Sequence, residues 1–115
     1  MKRIAIKAMG GVEMGAALND SATAEDVWRA LPLESKAQRW GDEVYFTIGI
    51  AASEENPQAM VPSGTVAYWP PGKAFCIFFG QTPYSPVNVI GQVEGDAVEF
   101  DKVQSGETIR IEAVE

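Results

Sequence analysis

The chain has 115 residues, 46% of them hydrophobic and 22% charged, which suits one hydrophobic core and is too short for two. Nine basic against sixteen acidic residues leave a net charge of −7, so nucleic acid and anionic lipid surfaces are repelled and neither is an expected partner. There is no histidine, which removes imidazole triads and histidine zinc sites and leaves no metal or cofactor expected.

Met1-Lys2-Arg3 leads into an alternating strand pattern and not into a signal-peptide core. No apolar run approaches the roughly 20 residues that cross a bilayer, and the expectation is a cytoplasmic protein. Arg3 to Ala8 alternates, with Ile4 and Ile6 on one face, and Gly10-Gly11 supplies a hairpin turn into a strand through Val12, Met14, Ala16 and Leu18. Asn19-Asp20-Ser21 breaks that strand. Thr23 is predicted to cap a helix whose buried stripe is Ala24, Val27, Trp28 and Leu31, and Pro32 ends it.

A polar segment from Glu34 to Trp40 turns at Gly41-Asp42 into the alternating Val44, Phe46 and Ile48. Gly49 to Ser63 is the longest irregular stretch, of a length that compact domains reserve for functional or mobile loops, and its Glu54-Glu55 pair reads as solvated. Gly64 to Trp69 and Ala74 to Phe79 flank Pro70-Pro71-Gly72-Lys73, which predicts a type II turn with Gly72 at the third position. Cys76, between Phe75 and Ile77, reads as a small apolar group in a buried strand. After a proline-containing loop from Gly80 to Pro86 come a strand over Asn88 to Val93 and a turn at Glu94-Gly95-Asp96. Ala97 to Val103 fits a short helix better than a strand, and the last strand runs through Ile109, Ile111 and Ala113. Many short strands, one helix and no dividing linker argue for a single domain over residues 1–115, mainly β, with the helix covering an open end.

Several strings resemble cyclophilins, in the right order over nearly the whole chain. They are Val12-Glu13-Met14-Gly15, Thr23-Ala24-Glu25-Asp26-Val27-Trp28-Arg29-Ala30-Leu31, Gly64-Thr65-Val66-Ala67-Tyr68, Cys76-Ile77-Phe78-Phe79 and Val89-Ile90-Gly91-Gln92-Val93-Glu94-Gly95. Tyr68-Trp69-Pro70-Pro71-Gly72-Lys73-Ala74 followed by Phe78-Phe79-Gly80-Gln81-Thr82-Pro83 is similar, more closely, to the small prokaryotic cyclophilin-like family of the Thermotoga type. The resemblance implies a closed eight-stranded barrel with a helix at one end. It also implies a chemistry. Cyclophilins lower the barrier of about 18–20 kcal/mol to rotation of X–Pro bonds by holding a twisted amide in an apolar groove, where an arginine donates to the prolyl nitrogen only in the transition state.

Carried over by residue, the resemblance places Ile48 where that arginine belongs, with Arg39 the nearest arginine, and puts Val87 where the groove histidine falls. It assigns Phe79 to the proline pocket, with Phe46 and Phe78 facing the barrel interior; Tyr68, Trp69, Pro83 and Tyr84 sit beside turns, where they read either as a groove rim or as hairpin packing. The function expected is a binding module for a peptide or proline-containing ligand, with isomerase activity weak or absent. Two alternatives stand beside it: an isomerase in which Arg39 or a loop donor replaces the usual arginine, and a small-molecule-binding or amidohydrolase-associated subunit.

Overall fold

The computed structural model describes residues 2–80 and 85–114. In chain order these form β1 (Arg3–Ala8), β2 (Glu13–Leu18), α1 (Ala22–Ala30), β3 (Leu33–Lys36), β4 (Gln38–Trp40), β5 (Glu43–Thr47), β6 (Thr65–Trp69), β7 (Ala74–Phe78), β8 (Asn88–Val93) and β9 (Thr108–Val114). Two 3-10 helices, Pro70–Gly72 and Ala97–Lys102, complete the list. All strand pairs are antiparallel, in the order β3-β9-β1-β2-β8-β6-β7-β5-β4.

The two edge strands of that sheet are consecutive in the chain, separated by Ala37 alone. Residues 33–40 therefore pair with β9 and then, past Ala37, with β5, and this bent segment curls the sheet into a nearly closed barrel. Ala37 is itself held to the β9 side, its N–H on the Glu107 carbonyl at 2.8 Å and its carbonyl taking the Gly106 N–H at 2.7 Å. Nine strands thus stand where eight were expected, because the bend at Ala37 splits one segment between two partners. The close approach of β8 to β2 depends on Gly91, where a Cβ would lie 2.3 Å from the Ala17 carbonyl oxygen.

Ile4, Ile6, Val27, Val44, Phe46, Val66, Phe75, Ile77, Ile90, Ile109 and Ile111 are fully buried in one interior core, each aliphatic side chain contributing about 1.5–3 kcal/mol by leaving water. The Phe46 and Phe75 rings stack there at 5.1 Å. Trp28 and Leu31, expected to be buried, are only partly so. The helix begins two residues earlier than Thr23 predicted: Ser21 is the cap, its hydroxyl accepting from the Ala24 N–H. Thr23 is committed elsewhere, as described below. Ala97–Lys102 is the short second helix, capped by Asp96.

The turn at Pro70 departs from the type II expectation. Pro70–Gly72 is helical, and the left-handed residue is Lys73, at φ 49°. Gly72 is needed for a different reason, since a Cβ there would meet the Trp69 ring at 2.6 Å. Among the described residues no helix is long and apolar enough to cross a membrane.

Candidate functional site

Every residue of β7 is buried, which means that the sheet is covered on both sides here. Phe75 and Ile77 belong to the interior core. Ala74, Cys76 and Phe78 alternate with them and join Val61, Ala67 and Val87 in a second apolar cluster on the outside of the barrel, with Tyr45, Trp69 and Val89 partly buried against it. Strand register orders this outer face. Tyr45, Cys76, Ala67 and Val89 form one row across β5, β7, β6 and β8. Glu43 and Phe78 are paired on one side of that row, Thr47, Ala74 and Trp69 on the other.

The long connection between β5 and β6 has two parts. Ile50 and Ala52 pack against the interior core, and the Tyr68 hydroxyl holds them, donating to the Ile50 carbonyl and accepting from the Ala52 N–H. The fully buried Asn88 takes over from there: its amide donates to the Ser53 carbonyl at 2.9 Å and to the Thr23 hydroxyl at 3.1 Å, and its oxygen accepts from the Glu55 N–H. Glu55 closes this network at the start of α1, accepting from the Ala22 and Thr23 N–H groups and the Thr23 hydroxyl. These bonds hold its carboxyl below the usual range. The chain then crosses the outer face, where Gln58 exchanges two backbone hydrogen bonds with Val87 and Val61 is buried in the outer cluster.

The residues singled out from the sequence are divided by this geometry. Val87 and Trp69 lie on the outer face, with the Trp69 indole N–H donating to the Ser85 hydroxyl. Tyr68 faces the interior and serves the loop. Ile48 is half-buried against the interior core. Phe79 and Phe78 are the reverse of what was expected: Phe79 belongs to the interior core, and Phe78 lies in the outer cluster. Arg39 stacks 5.1 Å from the Phe79 ring, and its terminal nitrogens donate to the carbonyls of Asp101, Val103 and Gly41 and to the Asp101 carboxylate. Pro83 and Tyr84 lie outside the described residues.

Two ionisable groups on this face escaped the sequence reading of a site. Glu43 is not among the residues singled out from the sequence, yet it is only 9% exposed. Burial raises its carboxyl, offset in part by a hydrogen bond from the Cys76 thiol. Burial pushes the Cys76 thiol well up as well, so it is a poor nucleophile. The parity of Glu43 with Tyr45, opposite Val44 and Phe46, was the available signal. Among the described residues no cluster of His, Cys, Asp or Glu could hold a metal ion.

Comparison with known proteins agrees with this architecture. The solution structure of the hypothetical protein AF2241 from Archaeoglobus fulgidus superposes with a TM-score of 0.81 at 38% identity, covering 96% of this chain and 93% of that one. The structure of McbB in complex with tryptophan superposes with a TM-score of 0.80 at 19% identity, covering 95% of this chain but 44% of that one. No curated protein gives a significant match. The family model described as cyclophilin-like matches residues 2–112, and the chain therefore belongs to the cyclophilin-like family.

Proposed function

We propose that this protein is a binding module that uses the outer face of β5, β7, β6 and β8 to hold a peptide, in particular a proline-containing one, with isomerase activity weak or absent. The observation that carries this reading is an apolar outer cluster whose half-buried Tyr45, Trp69 and Val89 reach the surface over a fully buried base of Phe78, Cys76, Ala67 and Val87, without a guanidinium over it. Each arginine is engaged with acids: Arg3 with Glu94, Arg29 with Glu25 and Asp26, Arg39 with Asp101, and Arg110 with Glu34 and Glu112. A prolyl ring would pack on the half-buried Tyr45, Trp69 and Val89, and no arginine is free there to donate to a twisted amide. Losing one donor of that kind costs about 2.7–4 kcal/mol, or roughly a hundred- to a thousandfold in rate.

Exchange spectroscopy on short X–Pro peptides tests this. Line-shape changes from binding with marginal isomerisation are expected, and a catalytic efficiency comparable to ordinary cyclophilins would overturn the proposal. A small-molecule ligand is the second reading. It is favoured by the chain's own segment around Gln58 and Val61, which lies along the same face and shortens the room for an extended peptide. McbB, of the same fold, was solved with tryptophan bound.

A further inference from the structure

We infer that Glu43 anchors the ligand of this face through a protonated amine, so that the ligand joins an ammonium group to an apolar body. The inference rests on the outer face being a binding face. Glu43 opens β5 opposite Phe78, with its carboxyl on the outer side next to the Cys76 thiol. At 9% exposure it is the most buried acid among the described residues. It takes part in none of the ion pairs there.

Other acids have cationic or N–H partners, where Glu43 has among the described residues only the Cys76 thiol. Glu25, Glu94 and Glu112 sit against lysine or arginine, and Glu55 against backbone N–H groups and a hydroxyl. A carboxylate taken from water without a cation is expensive, and a thiol is a weak donor. An incoming ammonium would supply the missing charge-assisted bond. Half-buried Tyr45, one position along the same face, provides a ring for the apolar body and for cation–π contact, while the fully buried Phe78, directly opposite Glu43, backs the strand from below. The net charge of −7 attracts such a cation from solution and disfavours an anion.

Phenethylamine, N-acetylphenethylamine and phenylpropionate, titrated into the whole protein and followed by backbone amide shifts, test the inference. Two capped Ala-Pro-Phe peptides, with and without a lysine, distinguish a free amine from a peptide-borne one. The amine should move the amides of Glu43, Cys76 and Phe78 and bind at least tenfold more tightly than its acetylated form. Glu43→Gln should remove that preference while keeping the native amide spectrum. If Glu43→Gln does not fold, the amine-to-acetyl ratio on the unaltered protein decides alone. Equal binding of amine and acetylated amine at this face, or an unchanged preference in Glu43→Gln, would overturn the role of Glu43 and leave the binding face standing. If no probe or peptide moves the outer-face amides, both proposals fail.

Discussion

Ile48 and Thr47 are neighbours on opposite sides of the same strand end, and they answer differently to the question of restoring an arginine. Ile48 packs against the interior core, continuing the parity of Val44 and Phe46. Thr47 is exposed and pairs with Ala74 on the outer face, in the row that ends at Trp69. A guanidinium at position 48 would have to be desolvated or to disrupt the core, so Ile48→Arg should destabilise by about 2–4 kcal/mol. Thr47→Arg should stay within about 0.5 kcal/mol of the parent, as exposed substitutions do. Chemical unfolding of the two variants checks this, and equal losses would mean that the parity is misassigned. The same parity explains why Phe78 and Phe79 were exchanged in the sequence reading. In a strand buried on both faces the alternation of apolar and polar residues disappears, so Ala74 to Phe79 gives no sign of which side faces in. The apolar floor was legible as a set of residues, its orientation was not, and Glu43 stayed hidden because a glutamate next to a turn looks like any solvated acid.

The elements that surround the site are tied by a few polar bonds, and these identify which parts can loosen separately. Gly49 to Ser63 reads from its composition as an irregular stretch, and its anchors are distant in sequence: Tyr68 and Asn88 on strands and Thr23 on the helix. Nothing local in the segment announces them. Tyr68→Phe removes a hydroxyl that bonds two backbone groups of that loop, and should cost about 1–3 kcal/mol. Amide exchange should accelerate at Ala52 more than in β1 or β9, and uniform acceleration would show that the loop is not a separate unit. The helix was legible from its stripe, but its packing is shallower than a fully buried indole implies. Val27 is fully buried and Trp28 only partly so. Trp28→Ala should therefore cost about 1–3 kcal/mol, below the 3–5 typical of a buried aromatic. A larger loss in a thermal or urea melt would place the indole deeper than this packing does.

The whole molecule is a ring of strands, and its pH dependence is set by where the acids lie on that ring. Glu25, Glu94 and Glu112 have carboxyls lowered by hydrogen bonds from Lys2, Arg3 and Arg110 respectively, and Glu55 by its bonds to Thr23 and Ala22. Each stabilises the fold above the unfolded value, about 4.3 for glutamate, and that contribution is lost as pH falls through the lower folded value. Lys2–Glu25 and Arg3–Glu94 tie β1 or its approach to α1 and to the turn after β8, while Lys7–Glu112 joins β1 to β9. The loss therefore acts across neighbouring elements, but these pairs are solvated and salt weakens them. Glu43 has the opposite sign. Its carboxyl is raised by burial, so its contribution is greatest when protonated, below the unfolded value, and is lost as pH rises through the folded value. Two curves should follow. The urea midpoint of the parent should fall below about pH 4, where the paired acids take up protons. Glu43→Gln, which mimics the protonated side chain, should raise the midpoint at pH 7, and the gap should close toward pH 4. A midpoint at pH 7 lower in Glu43→Gln than in the parent would mean that the ionised carboxylate already has a partner within the fold. That result would also remove the reason for it to seek an ammonium group on a ligand.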